Sequence, residues 1–480
     1  MTRNPADQTA ADVREPGPVA SAGILALVCA AQFMVVLDVS VVNVALPSIQ
    51  RSLGFAAADL PWVATSYALV FGGFLLLGGR LADLYGHRRV LGVGLGLFTA
   101  ASLAGGLASS AGLLIGARAV QGLGAAVLAP VTLTVLTVTF PEGAARTRAL
   151  AVWTAVSLAG GAAGNLVGGA LTEYLSWRSI LLVNVPIGVA ALVAAARLLG
   201  DGPARAGTGR LDVPGAVLAT SGLVAVTYAL SPGEGRPGVV TAAVWVVGVL
   251  ALVAFAVVEV RVADWPLLPP RLLRRRAVWL GNGVMLLAGA AFQVPMWYFL
   301  TLYMQNVLHL EALQTGLGFL PHTVLTLLIG LRITPWLMRH VDTRVLIAGG
   351  IWIAAAGFAW QSQSTAGDTY WSGVAGPAVL LSVGGAVFNT PLTATVTSGV
   401  ADGDAGAASG LMNTAKQVGG ALGLAALVAL TAGPAGGGAT TGEAMLAAQY
   451  GQAFAATAAV LAVIGALAFG LPPRRDNAPR

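Results

Sequence analysis

The sequence predicts an all-α integral membrane protein made of two pseudo-symmetric six-helix bundles with two extra central helices, about fourteen transmembrane helices in total. Three observations predict it: apolar runs of bilayer length, alternation of arginine-rich with arginine-poor loops, and short motifs that recur at nearly one offset.

Composition sets the solvent. Of the 480 residues 56% are hydrophobic and 10% charged, with a mean hydropathy of +0.80, whereas soluble domains carry about 25% charged residues. A soluble interior has no room for so much apolar surface. A hydrocarbon layer of about 30 Å, by contrast, accepts helices of about 20 apolar residues that satisfy their own backbones. Such runs lie at about 22–46, 61–80, 89–110, 112–138, 149–171, 179–199, 212–231, 238–260, 277–304, 313–337, 343–361, 371–398, 406–431 and 448–471. The polar start, Met1 to Ala20, precedes a run too long for a cleaved signal of about 7 to 15 apolar residues, so the first run is expected to remain as a span.

An even number of spans places both ends on one side. Arg80, Arg88 and Arg89, then Arg146 and Arg148, then Arg197, Arg205 and Arg210 fall in alternate loops, joined by Arg271, Arg274, Arg275 and Arg276, by Arg339 and Arg344, and by Arg474 and Arg475. The opposite loops hold little beyond Arg51, Arg178 and Arg236. Basic loops stay inside, so both termini are expected in the cytoplasm and the chain in the cytoplasmic membrane. The expected organisation is a cytoplasmic tail over 1–20, a first bundle over 21–200, two additional helices over 201–262, a basic cytoplasmic linker over 263–276, a second bundle over 277–472 and a tail over 473–480.

Repetition supports the two-bundle reading. "RRVLGVG" after the second run is similar to "TRVLIAGG" after the tenth, "APVTLTV" in the fourth to "TPLTATV" in the twelfth, and "VGGAL" in the fifth recurs in the thirteenth. Arg89 pairs with Arg344, Pro130 with Pro391 and Val167 with Val418, at separations of 255, 261 and 251 residues. A duplicated six-helix unit with two helices inserted between the copies explains all three.

Several function classes are excluded. The net charge of +6 comes without a basic stripe interleaved with aromatics, so nucleic acid is not an expected partner. Cys29 is the sole cysteine, which rules out an intrachain disulfide and a thiolate metal cluster. There is no Gly-rich phosphate loop ending in Lys-Ser/Thr, no paired zinc ligands and no nucleophile with its base, so no enzyme, metal or cofactor is expected. Without a nucleotide motif, the energy source is expected to be an ion gradient.

Charged residues inside the runs mark candidate sites, because burying one costs about 2.5 to 3.5 kcal/mol on insertion scales. "LDVSVVNVALP", Leu37 to Pro47, carries Asp38 and Asn43; the bland alternative for Asp38 is a packing carboxylate satisfied by hydroxyls such as Ser40. "RAVQGLGAA", Arg118 to Ala126, carries Arg118 and Gln121, and Arg118 needs an anionic partner unless it snorkels to the surface. "GRLADLYGHRR" carries Gly79, Asp83, Gly86, Arg88 and Arg89; Gly86 provides the positive φ of a tight turn, and Asp83 near a helix C-terminus needs compensation by Arg88 or Arg89. Gly160, Gly164 and Gly168 repeat every four residues, beside Asn165 and Gly169, a stripe that allows close helix contact. Lys416 in "NTAKQVGGALG" needs polar surroundings or a local polar partner. Phe292, Trp297, Tyr298, Phe299 and Tyr303 cluster in the outer half of the ninth run, where interfacial anchoring is an equal alternative. His322 reads as structural and Arg332 as snorkelling.

Together these motifs resemble the fourteen-span drug:proton antiporter branch of the major facilitator superfamily, over nearly the whole chain after the first 20 residues. The resemblance implies the major facilitator fold and proton-coupled efflux of a small hydrophobic drug or antibiotic by a functional monomer. It further implies Asp38 and Arg118 as the proton-coupling pair, a substrate cavity with Asn43, Gln121, Phe292, Tyr298 and Lys416, and a cytoplasmic latch in the Gly79–Arg89 loop rather than a plain basic loop. The latch is expected on one side only, since Met338 occupies the place of Asp83 in the second copy. The glycine stripe resembles the antiporter motif, with Asn165 where the pattern has proline; that departure keeps an importer of a polar metabolite as an alternative, ahead of a non-transporting receptor. Depth agrees with the pair. Asp38 stands about eight residues, or about 12 Å, below the outer end of its run and Arg118 about six residues, or about 9 Å, below its own.

Overall fold

The computed structural model describes residues 18–200, 211–232, 237–263, 266–268, 270–398, 400, 404–432 and 442–472. Residues 1–17 of the expected 1–20 tail, the expected tail over 473–480, and Arg205, Arg210, Arg236, Arg474 and Arg475 lie outside them, as does the side chain of Asp83.

Fourteen helices are long and apolar enough to cross a membrane: α1 (Ser21–Leu53), α2 (Trp62–Ala82), α3 (His87–Gly106), α4 (Ala111–Thr139), α5 (Ala144–Tyr174), α6 (Ser179–Leu198), α7 (Val213–Leu230), α8 (Gly238–Val262), α9 (Arg276–Asn306), α10 (Ala312–His340), α11 (Thr343–Gln361), α12 (Trp371–Thr397), α13 (Gly406–Thr431) and α14 (Gly442–Ala468). The chain is a multi-pass membrane protein. The differences from the sequence reading are at helix ends. α1 continues through Pro47 to Leu53, because a proline removes one backbone hydrogen bond without preventing the next turn when neighbours hold the helix.

Packing repeats with the sequence. α1 lies against α5 as α9 lies against α13, α2 against α4 as α10 against α12, and α3 against α4 and α6 as α11 against α12 and α14. The duplicated motif repeats down to its hydroxyls: Thr134 donates to the Pro130 carbonyl at 3.0 Å, and Thr395 donates to the Pro391 carbonyl at 2.8 Å. Each threonine satisfies the span's polar atom on its own helix, as hydrocarbon requires. The halves meet through α5 with α10 and α2 with α13, while α7 and α8 pair with each other and α7 rests on α2 and α13.

The glycine stripe of α5 seats that helix on α1. A Cβ at Gly164 would lie 2.4 Å from the Ser40 Cβ, and one at Gly168 would lie 2.8 Å from the Val41 carbonyl oxygen. On the other face a Cβ at Gly169 would lie 2.6 Å from the Ala312 carbonyl oxygen of α10. The stripe therefore serves packing within the first half, and Gly169 serves the contact between halves. Gly168→Val is expected to lower stability by at least about 1–3 kcal/mol, because the obstructing atoms are backbone. Thermal unfolding of the purified protein checks this against Gly92→Ala, which meets nothing within 4 Å and is expected to be neutral.

The halves differ in one respect that the repeat does not predict. α9, α10 and α12 each contain a widened π turn, at Gly289–Gln293, Ile329–Ile333 and Trp371–Ala375. Helices α1 to α6 show none among the described residues.

Candidate functional site

Asp38 sits at the centre of the first bundle, ringed by polar groups from four other helices. Its Oδ2 pairs with Nη1 of Arg118 on α4. Its Oδ1 accepts from Nε2 of Gln121 at 3.0 Å and from Nδ2 of Asn184 on α6 at 3.1 Å. Arg118 and Gln121 are three residues apart and so share a face of α4, where Arg118 Nη1 also donates to Gln121 Oε1 at 2.9 Å. Arg118 Nε donates to the Val63 carbonyl of α2 at 3.1 Å, and its guanidinium lies 4.5 Å from the centre of the Tyr67 ring. Gln121 is further held by donating to Ser102 Oγ of α3 at 2.7 Å. Asn184 reaches the cluster because α6 is interrupted at Val183: Pro186 has no N–H to give the Leu182 carbonyl.

The cluster is sealed. Asp38, Gln121 and Asn184 are 0% exposed and Arg118 is 2% exposed. Arg118 does not snorkel. Asp38 is not satisfied by Ser40, whose hydroxyl donates to the Val36 carbonyl instead. A buried ion pair is poor evidence for stability, since desolvation cancels much of its attraction. A sealed carboxylate with three side-chain partners is better suited to a role in which the surroundings change.

The residues expected on a cavity wall do not come together. Gln121 belongs to the Asp38 cluster. Phe292 is packed inside the second bundle, edge-on to Phe358 at 5.9 Å and Phe388 at 5.3 Å between ring centres, and Tyr298 is buried edge-on to Phe299 at 5.2 Å. Burying these rings against α11, α12 and α14 removes more apolar surface than a wall position does. Asn43 is half-buried and donates to the Val39 carbonyl of its own helix at 3.2 Å. Lys416 is half-buried on α13 with its backbone against Gly289, and no hydrogen bond or ion pair is found for it among the described residues. Trp297 stacks near Phe319 and His322, and His322 is tied to the Ser382 hydroxyl at 2.9 Å, a structural role. Arg332 is exposed.

In the loop between α2 and α3, Gly86 has φ 84° and its N–H donates to the Ala82 carbonyl at 3.1 Å, ending α2. Arg88 donates to the Ala196 carbonyl at the end of α6 at 3.1 Å, Arg80 donates to the Pro266 carbonyl at 2.7 Å, and Arg89 is exposed. Gly79 faces Pro130, 3.8 Å from where its Cβ would be. The second copy of this loop has an acid that the sequence reading missed: Asp342 caps α11 and bonds Arg344, and the Arg344 side chain holds its carboxyl below the usual carboxylate range. Asn165 is buried on α5, and its carbonyl oxygen would lie 2.4 Å from a Cβ at Gly316 of α10.

Residues 28–424 match the sequence model of the Major Facilitator Superfamily. The chain belongs to that superfamily. This facilitator is 55% identical over 463 residues, 95% of its own length and 93% of the relative's, to the cephamycin export protein CmcT of Amycolatopsis lactamdurans. It is 42% identical over 417 residues, 85% of its length and 81% of the relative's, to the puromycin resistance protein pur8 of Streptomyces alboniger. Its fold matches a crystal structure of a mutant peptide transporter of the POT type with sulfate at a TM-score of 0.70, with 15% identity, covering 97% of this chain and 98% of that one. Asn184, Ser102 and Tyr67 are the members of the facilitator's buried cluster that sequence reasoning did not single out. Asn184 lies in "WRSILLVNVPIG", where an asparagine two residues before a proline inside an apolar run was the available signal.

Proposed function

We propose that this facilitator exports a small, largely hydrophobic antibiotic-like compound across the cytoplasmic membrane in exchange for protons, as a monomer with both termini in the cytoplasm. The observation that carries the reading is the sealed Asp38–Arg118 pair within a chain so similar to an antibiotic export protein. A carboxylate with no solvent exposure cannot exchange protons where it stands, so loading and release require the helices around it to move. Alternation between an arrangement that opens Asp38 to water and one that seals it against Arg118 ties one proton to one cycle of access. The test is proton release from inverted vesicles on addition of a cephamycin or puromycin. Release that depends on the protein supports the exchange, and its absence with both compounds overturns it.

Charge inside the spans selects the substrate. Asp38 is answered by Arg118, which leaves Lys416 as a cation on a helix between the halves. A second cation 4 Å from it costs about 4 kcal/mol at an effective dielectric constant of about 20. Neutral and anionic compounds are therefore expected to be exported in preference to dications. Strong export of a dication with little export of uncharged compounds reverses the assignment.

A further inference from the structure

Away from the Asp38 cluster, a carboxylate of the first half reaches the backbone of the second. Glu173 stands in the last turn of α5, where the negative end of its own helix dipole disfavours its charge. Its Oε2 accepts the Leu313 N–H, in the first turn of α10, at 2.8 Å. The first N–H groups of a helix have no partner within it, and the start of α10 favours a negative charge as much as the end of α5 disfavours one. The segment serves one such group itself, Gln314 Oε1 turning back to accept the Glu311 N–H at 3.0 Å. The Leu313 N–H is served from the other half.

The spacing along α5 explains how the carboxylate gets there. Asn165, Gly169 and Glu173 recur every four residues and share one face of the helix. The lower two bring the backbones together: a Cβ at Gly169 would lie 2.6 Å from the Ala312 carbonyl oxygen, and one at Gly316 would lie 2.4 Å from the Asn165 carbonyl oxygen. Beside this seam, Gln305 of α9 donates to the Val44 carbonyl of α1 at 2.8 Å, a second bond between the halves. On the topology proposed above, both bonds lie on the outer side. The apolar packing agrees. Leu37, Val41 and Ile49 in the outer half of α1 share one buried core with Phe299 and Met304 of α9, while Ile24 and Val35 in its inner half belong to a core made, among the described residues, of the first half alone.

We propose that Glu173 is the clasp of the outer mouth, a positioning residue whose carboxylate holds α10 of the second half against α5 of the first and lets the Leu313 N–H go before the exported compound can leave. The proposal rests on the cycle of access read above. It deepens that reading by naming the contact that must break on the outer side. When the mouth opens, the carboxylate and the N–H both pass to water, so the bond biases the equilibrium toward the shut form without locking it. A hydrogen bond to a charged group shifts such an equilibrium by about tenfold or more.

The experiment uses the full-length protein in right-side-out vesicles. Cys29→Ser removes the native thiol, and Ala312→Cys places one in the seam, at a position 9% exposed. A membrane-impermeant maleimide added outside then labels this thiol at a rate that follows the open fraction of the mouth. Glu173→Ala in this background is expected to label about tenfold faster. Glu173→Gln keeps an amide oxygen that accepts the Leu313 N–H, so it should recover most of the slow rate. A carboxylate that only capped α10 would let its first turns fray, so hydrogen exchange of the Thr315 and Phe319 amides, which donate to the Glu311 and Thr315 carbonyls, is read on the same proteins and is expected to stay unchanged. The assay needs neither a drug nor a proton gradient, so its result stands apart from the test of antibiotic–proton exchange. Labelling of Glu173→Ala at the starting rate, labelling of Glu173→Gln as fast as Glu173→Ala, or labelling that rises in step with exchange of those amides overturns the proposal.

Discussion

Replacing Asp38 by asparagine is expected to reduce gradient-driven export to the rate of vesicles that lack the protein, while the protein still inserts and folds. The geometry gives both halves of that result. An amide has the shape of the carboxylate, and its oxygen can turn toward Arg118. Its nitrogen then faces Asn184, whose own amide oxygen has no partner among the described residues and can turn to accept. Gln121 Nε2 loses this acceptor but keeps the Ser102 hydroxyl, and Arg118 keeps Gln121, the Val63 carbonyl and the Tyr67 face, so the cluster holds its shape at some cost in stability from the uncompensated cation. What is lost is titration. Drug-driven proton release in inverted vesicles, with drug binding measured on the same preparation, separates the two: binding retained with exchange lost supports Asp38 as the carrier. Exchange at the native rate means the pair is structural.

Removing Arg118 is expected to be worse for the protein, because it leaves a carboxylate at 0% exposure without a cation. Breaking a buried pair from one side costs about 3–5 kcal/mol, far more than the pair contributes when intact. Arg118→Ala should therefore lower both thermal stability and transport. Arg118→Lys should recover only part of each. The native guanidinium serves Asp38, Gln121, the Val63 carbonyl and the Tyr67 face at once, and an ammonium is a point charge without the planar fork. The double variant Asp38→Asn with Arg118→Ala gives the sharper comparison. If the cost of Arg118→Ala comes from the stranded charge, removing that charge should restore stability but not transport. Thermal unfolding of the four proteins measures it; equal losses in the single and double variants would place the cost in packing.

The helices were legible because a bilayer leaves little choice. Backbone groups must be satisfied within each span, so a run of about 20 apolar residues has one stable form. The repeat was legible because its residues do local work that any copy must repeat. Pro130 and Pro391 with their threonines show this, each pair closing a hydrogen bond on its own helix. Asp38 and Arg118 stood out because a charge in such a run is costly.

The cavity assignments were not legible, for a related physical reason. A buried aromatic and a substrate-facing aromatic have the same composition and the same helical period. Only the crossing of α9 with α11, α12 and α14 decides that Phe292 and Tyr298 face protein. The same holds for Gln121, which could be read on either face until Ser102 of α3 and Asp38 of α1 were brought to it.

The sequence by itself determined a membrane-spanning chain of fourteen helices in two related halves with one opposed pair of charges, since each of those features follows from residue type and spacing along one helix. The tertiary structure alone decided that Asn184 of α6 completes the Asp38 cluster, that Ser102 of α3 holds Gln121 of α4, and that Gly169 of α5 meets α10. Each of these depends on how helices cross, and crossing is set by the close approach of small residues such as Gly164 and Gly168 summed over many contacts, which no single stretch of sequence contains.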